Sequence, residues 1–450
     1  MKKCKFFGTD GIRGIVGQDF NPELVTRIAN AIATFITKRP AKVIIGWDTR
    51  ASCDFIVEIL SGILSGYGIK VVKIGVVPTC ALLFLTNKLN AELGIMVSAS
   101  HNDARYNGIK IASSGGEKLT DAQVFELDRL VARNAKPQTH VNAKELGEIV
   151  EDFKAIKLWQ KYLTKKFPPF HGAKNIKIAL DGANGSGADC ATEVLQAFGF
   201  HVTAFNNKPD GFNINENCGA TKPKFLNGTM QSGGFNIGFA LDGDADRCVF
   251  FDEHGKTVHG DAIIYLLAKY FKERGELSKN KVVGTILTNL GIEKALNNQG
   301  IKLLRTDVGD VNVCRATKKE GLVMGGEPNG HMIFPKIWST DDGLVLALMV
   351  LSMLSASGKS MSELCADVEV YPQLSINVDA TPEQKKQIFA DADFIQCVKK
   401  AQAKNKDFRI IVRPSGTENI VRVTVEGADK NACEHIANEI CSHIRKVFMR

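Results

Sequence analysis

"NIKIALDGANGSG" at 175–187, then a helix-length stretch, then "FGFHVTAF" at 198–205, sets the architecture. An apolar strand-like run ends in glycine punctuation, and a second such run follows the helical stretch. Strand, crossover helix, glycine, strand within about 30 residues is a βαβ unit. The same succession occurs earlier, in "AKVIIGWD" at 41–48 and "GYGIKVVKIG" at 66–75. It occurs again in "NKVVGTILTNLG" at 280–291 and "QGIKLLRTDVG" at 299–309. Such units build sheets with parallel pairs and covering helices, so the class is α/β with three similar domains and mixed sheets.

The last eighty-odd residues change character. "DVEVYPQLSINVD" alternates like a strand, and "PEQKKQIFADADFIQCVKKAQAK" reads as one helix with proline at its start. "FRIIVRPSGTENIVRVTVEG" reads as two strands around a loop, and "KNACEHIANEICSHIRKVF" as a final helix. The expected domains are therefore 1–150, 151–252, 253–366 and an α+β domain at 367–450. A charged helical segment at 143–166 and "KKFPPFHG" at 165–172 are expected to form the first linker region.

Composition narrows the function classes. The 450 residues are 44% hydrophobic and 24% charged, with a formal charge of +8 and no dense basic block. That surplus suits a small anionic substrate and does not argue for nucleic acid, so no nucleic-acid partner is expected. Eleven cysteines, none in a CxxC pair, read as free thiols of a cytoplasmic protein. "MKKCKFFGTDG" lacks the apolar core of a signal peptide. "GLVLALMVLSML" at 343–354 is too short to span a bilayer and reads as a buried helix. The expectation is no membrane partner, and a monomer or homodimer.

Five loops carry candidate chemistry. In "FALDGDADRCVFF", Asp242, Asp244 and Asp246 alternate, and Glu253 completes the spacing of a calcium-binding EF-hand loop. Arg247 occupies the position that loop reserves for glycine, and both flanks read as strands, which excludes the sensor. Three carboxylates on extended backbone suit a hard cation, magnesium or calcium; a solvated acidic turn is the alternative. In "VSASHNDARYNGIK", a buried strand at Leu93–Val97 delivers Ser100 and His101 to a loop that Lys110 closes. A phosphorylated serine there would be a phosphoryl donor; a serine-rich turn, or a Ser-His-Asp triad without its GxSxG elbow, are the other readings. "FGTDGIRG" offers Arg13 to a phosphate, "GGEPNGH" offers Glu327, Asn329 and His331 to sugar hydroxyls, and "RPSGTEN" offers Arg413, Ser415, Gly416 and Thr417 to an anion.

Taken together, "SASHN", "DGDADR", "GGEPNGH" and "RPSGTEN", one per domain and in this order, resemble the α-D-phosphohexomutase superfamily over the whole chain. "FGTDGIRG" and "GFNINENCGATKP" at 211–223 look most like its bacterial phosphoglucosamine mutase branch. The resemblance implies four domains around a central cleft, the last TATA-binding-protein-like. It implies interconversion of glucosamine 6-phosphate and glucosamine 1-phosphate through a phosphoserine and a bisphosphorylated sugar, which also acts as activator. Ser100 would be phosphorylated and, with Asp242, Asp244 and Asp246, would hold one Mg2+ per subunit. His101, Lys110 and Arg247 would flank the reacting groups, with Lys110 a candidate proton shuttle. Arg13, Glu327, Asn329, His331, Arg413, Ser415, Gly416 and Thr417 would bind substrate.

Asp103, Val311, Pro328 and Asn329 depart from that pattern, and Asp103 is expected to add negative charge near Ser100. Phosphomannomutase or phosphoglucomutase activity is the alternative within the family. A phosphatase of the haloacid-dehalogenase type using Asp242, or a non-catalytic sugar-phosphate binder, lie outside it.

Overall fold

The computed structural model describes residues 4–8, 10–137, 141–415 and 419–448. The chain divides into two compact units, Met1–Thr285 with Thr306–Ala366, and Ile286–Arg305 with Asp367–Arg450.

The first unit holds two mixed sheets and four strands of a third. Sheet one contains β1 (Ile12–Ile15), β2 (Ala41–Trp47), β3 (Ile69–Val76), β4 (Leu93–Val97), β5 (Tyr106–Ser113) and β6 (Ile149–Glu151), in the order β1-β5-β4-β2-β3-β6. Its helices are α1 (Pro22–Phe35), α2 (Cys53–Gly66), α3 (Thr79–Lys88) and α4 (Asp121–Ala132). Asn21 caps α1 by accepting from the Leu24 amide, with Pro22 in the first turn. The buried faces of α1, α2 and α4 form one core with β2, β3 and β4.

After α5 (Ile156–Lys166), sheet two contains β7 (Lys177–Asp181), β8 (His201–Phe205), β9 (Ile237–Leu241), β10 (Cys248–Phe251) and β11 (Thr257–Val258), in the order β11-β10-β9-β7-β8. Helices α6 (Ala188–Ala197) and α7 (Lys224–Gly233) belong to it, and α8 (Gly260–Glu273) follows. Of the third copy, β12 (Lys281–Thr285) belongs to the first unit, while α9 (Leu290–Asn298) and all of β13 (Lys302–Thr306) but its last residue fall in the second. Then come α10 (Asp310–Glu320), β14 (Gly325–Gly326), β15 (Met332–Phe334), β16 (Trp338–Asp341), α11 (Gly343–Ser357) and α12 (Met361–Cys365).

The repeat extends beyond the βαβ unit. In each copy a central strand pairs in parallel with the next strand inward, then turns into an antiparallel hairpin. The pairs are β4 with β5, β9 with β10, and β14 with β15. Their parallel neighbours are β2, β7 and β12. The three hairpin turns are the loops at 98–105, 242–247 and 327–331. Every residue of β4 and β9 is buried, so each strand is an anchored arm that carries one loop. Phe84 of α3, Trp159 and Tyr162 of α5, and Trp338 of β16 pack ring to ring at centroid distances of 4.9–6.2 Å, tying the copies together.

Two stretches fold otherwise than expected. Residues 143–155 are not the start of a linker helix; they return to sheet one, where β6 pairs in parallel with β3. Gly147 allows this, because a Cβ there would meet the Ile69 carbonyl oxygen at 2.0 Å. The proline-led segment forms two helices, α13 (Pro382–Ala390) and α14 (Ala392–Lys404). Asp391 is extended, at φ −74° and ψ 113°, and accepts from the Phe394 amide at 2.7 Å, so it ends one helix and caps the next.

In the second unit, β17 (Gln373–Asp379), β18 (Arg409–Pro414) and β19 (Ile420–Glu426) form an antiparallel sheet in the order β17-β19-β18. It is packed against α15 (Lys430–Phe448), α13 and α14. Residues 286–305 join it through Arg409, which donates to the Thr288 carbonyl at 2.7 Å, and Asn289, which donates to that of Tyr371 at 2.9 Å. All eleven cysteines are free thiols. Among the described residues no helix is long and apolar enough to cross a membrane.

Candidate active site

Ser100 sits just past the end of β4 with φ +52°, a left-handed backbone that a serine adopts only when its surroundings hold it there. Four groups do so. The Ser100 amide donates to Ser98 Oγ at 2.9 Å, and that hydroxyl donates to Asp48 Oδ2 at 2.6 Å. Arg50, buried and paired with Asp48 at 2.9 Å, donates to the carbonyls of Ser100, Asn102, Asp103 and Tyr106. Asn215 Nδ2 reaches the carbonyls of Ser100 and Asn102, both at 2.9 Å. The hydroxyl is thereby aimed at the second hairpin, where Ser100 Oγ donates to Asp242 Oδ2 at 2.8 Å. The two loops touch so closely that a Cβ at Gly243 would lie 2.6 Å from the Ser100 carbonyl oxygen.

Asp242, Asp244 and Asp246 bring one oxygen each within 4.8 Å of one another, all buried. Burial first, and then the charges of Asp246 and Asp244, push Asp242 up to about 7. Burial also works against charge on Asp244, but Lys110 holds it well below the usual carboxylate range. Asp244 Oδ1 and Asp246 Oδ1 are buried without a hydrogen-bond partner among the described residues. Orphaned, converging carboxylate oxygens are the donor set of a hard divalent cation. A second cluster, Asp246, His331 and Asp341, satisfies the same spacing. There His331 Nδ1 lies 2.7 Å from Asp341 Oδ2, an ion-pair contact that engages the two groups with each other rather than leaving them as free ligands.

Lys110 Nζ is buried and lies 2.8 Å from Asp10, 2.7 Å from Asp244 and 3.3 Å from Asp246. Burial disfavours its charge, yet these three carboxylates raise its pKa well above the ordinary lysine value. Arg247 Nε donates to His331 Nε2 at 2.8 Å and lies 3.9 Å from Asp242. Burial lowers His331, but Asp246 and Asp341 outweigh it and lift the ring to about 9. Arg247 and the two acids therefore pull the ring in opposite directions, Arg247 toward an unprotonated Nε2 and the acids toward the charged form. His101 Nδ1 is 3.4 Å from Ser100 Oγ, and burial, then Arg247 and Arg13, lower it to about 4.

The remaining residues divide. Arg13 pairs with Asp10 and donates to Asn102 Oδ1 at 3.3 Å, beside the serine loop. Glu327 is buried and accepts from the Gly309 amide at 2.9 Å, while Asn329 is exposed and accepts from the His331 amide. Asp103 turns outward to a two-point contact with Arg105, which takes up the charge expected near Ser100. Arg413 and Ser415 belong to the second compact unit, Arg413 facing Arg422 across the sheet. Gly416 and Thr417 lie outside the described residues. Sequence reading missed Asp10, Asp48, Arg50, Asn215 and Asp341. Asp48 and Arg50 follow a parallel strand at its carboxyl end, where α/β sites form, and that was the available signal.

Four models of the phosphoglucomutase/phosphomannomutase family match this chain: alpha/beta/alpha domain I over residues 5–138, domain II over 157–255, domain III over 259–371 and the C-terminal domain over 376–443. A phosphoglucosamine mutase of Clostridium kluyveri is 37% identical over 445 residues, covering 98% of each chain. One of Carboxydothermus hydrogenoformans is 36% identical over 446 residues, covering 98% of this chain and 100% of that one. A crystal structure of a phosphoglucomutase/phosphomannomutase family protein from Burkholderia thailandensis superposes with a TM-score of 0.82 at 20% identity, covering 99% of this chain and 98% of that one.

Proposed function

The chain belongs to the phosphoglucomutase/phosphomannomutase family, and from that premise we propose that it is an isomerase of hexosamine phosphates, interconverting glucosamine 6-phosphate and glucosamine 1-phosphate. The observation that carries the chemistry is Ser100 Oγ, held on a strained loop and donating to a buried carboxylate cluster with orphaned oxygens. Ser100 would carry the phosphoryl group, while Asp242, Asp244 and Asp246 would hold a hard divalent cation, magnesium as the family resemblance implies. Bound there, the cation would draw charge from the phosphoserine oxygen. A phosphoserine adds about −1.5 to −2 charge to a pocket already holding three carboxylates, which is why that oxygen set needs a cation.

Phosphoryl transfer is mostly positioning and charge stabilisation. Lys110, locked among three carboxylates, acts as a fixed positive charge rather than as the proton shuttle. Neutral His101 is the better-placed base beside Ser100 Oγ. As the phosphorus–Oγ bond breaks and a sugar hydroxyl bonds to phosphorus, the hydroxyl proton passes to neutral His101, which gives it back when the phosphoryl group returns to Ser100. Returning the phosphoryl group from the bisphosphorylated sugar restores the enzyme. Arg247 and His331, fixed to each other, face the transferring group, and Glu327 offers acceptors to sugar hydroxyls. Arg413, Ser415, Gly416 and Thr417 would clamp the phosphate that is not reacting.

Intact-mass measurement and peptide mapping test this reading. One phosphate on Ser100, lost when a hexosamine monophosphate is added, is the expected result, and Ser100→Ala should lower turnover by at least 10³-fold. Full turnover in Ser100→Ala with loss in Asp242→Asn would instead support an aspartate-nucleophile phosphatase. Saturation kinetics with glucosamine, glucose and mannose 1-phosphates, at fixed bisphosphate activator, decide the preferred sugar.

A further inference from the structure

A cavity of about 440 Å³ lies in the first unit, away from the catalytic loops and sharing no residue with them. One wall is the "KKFPPFH" strap that joins α5 to the second sheet, contributing Phe167 and Phe170. The end of α8, with Tyr270 and Phe271, and the hairpin tip, with Phe334, also line the cavity, Phe271 and Phe334 packed at 6.4 Å between centroids. The base is the last turns of α11, from Met349 to Ala356.

The walls are held before any ligand arrives. Phe170 packs edge-on to Phe198 at 4.9 Å, and Ser355 Oγ donates to the His171 carbonyl at 3.0 Å, pinning the strap to α11. Arg274 stacks over Tyr270 at 5.4 Å and pairs with Glu276 at 2.9 Å, so that acid is already neutralised. Lys166 and Lys336 also line the cavity, both exposed and with no ion pair among the described residues.

We propose that this cavity binds a planar aromatic molecule bearing an anionic group. Preformed aromatic walls select a flat ring through stacking and area burial, and two uncommitted ammonium groups select a carboxylate or phosphate on it. The β15–β16 hairpin supplies the cavity with Phe334 at its tip and ends at His331 and Asp341 in the catalytic site, and α11 likewise starts beside that site. The two sites are about 10–20 Å apart along α11 at 1.5 Å per residue.

Calorimetric titration of the full chain with 2-naphthoate tests the proposal, with 2-naphthalenemethanol and cyclohexanecarboxylate as comparators. Saturable one-to-one binding of 2-naphthoate is expected, at least tenfold tighter than either comparator and unchanged in Ser100→Ala. The exposed double variant Lys166→Glu/Lys336→Glu should weaken 2-naphthoate at least tenfold and leave the alcohol unchanged. Ala356→Trp, which fills the base, should abolish binding of both. Binding of 2-naphthoate that survives both pocket variants, no saturation at millimolar concentration, or equal affinity for the neutral alcohol would each overturn the proposal.

Discussion

Asn215 shows how much of the site lies in residues that carry no chemistry. Its amide makes two hydrogen bonds to the carbonyls of Ser100 and Asn102, more than a hundred positions away in sequence. Asn215 itself has φ +57°, so glycine is the informative substitution because it takes that backbone without strain. Asn215→Gly is expected to cost about 1–2 kcal/mol of stability for two lost hydrogen bonds. Turnover should fall at least tenfold with KM for the sugar phosphate little changed, because a loosened Ser100 weakens the chemical step rather than substrate binding. Denaturant midpoints and steady-state kinetics on the same preparation measure both. The sequence displayed Ser100 and the three aspartates because each group is contiguous in the chain. It did not display Arg50, Asn215, Asp10 or Asp341, whose roles exist only through contacts made across the fold. Asp341 reads as one acid of "STDDG", and the approaches of His331 Nδ1 at 2.7 Å and Lys118 Nζ at 3.8 Å give it a task.

At the scale of elements, the strands were legible from their apolar runs and the βαβ copies from their spacing. The common placement of the three hairpin loops was not, since β14 has two residues and β15 three, too short for any periodicity to register. The return of residues 149–151 to sheet one was also hidden, because their exposed, charged neighbourhood resembles a solvated helix. Gly147→Ala tests that element. A Cβ 2.0 Å from the Ile69 carbonyl oxygen forces β6 off β3, at about 1–3 kcal/mol as for other overpacking. Hydrogen exchange should rise at the paired residues 71–73 and remain unchanged in β7–β9. The break between α13 and α14 has a similar local cause. Asp391→Ala removes the cap on Phe394 and is expected to cost about 1 kcal/mol, read as a lower denaturant midpoint for the second unit.

For the whole molecule, the acidic cluster should make stability depend jointly on pH and divalent cation. Asp242 is raised to about 7 by burial and by its neighbours Asp246 and Asp244, against about 3.9 for an unfolded aspartate. In the cation-free protein the folded state therefore holds a proton that the unfolded state has released between pH 4 and 7. Stability from this group is fully present below about pH 4 and is lost as pH rises through 7. The integrated difference is about 4 kcal/mol at most for three pKa units. A divalent cation supplies the missing positive charge, so its binding should strengthen as Asp242 ionises. At a free concentration of 100 times its dissociation constant it would restore about 2.7 kcal/mol. Cation-free protein should thus melt at progressively lower temperature from pH 5 to pH 8, and saturating magnesium should flatten that slope. Asp242→Asn should flatten it without magnesium, because a neutral amide removes the repulsion, while losing most of the magnesium-induced rise. A calorimetric scan series at four pH values, with and without magnesium, separates these outcomes. Equal slopes in all three conditions would mean that the carboxylate cluster is already neutralised within the protein and is not built for a cation.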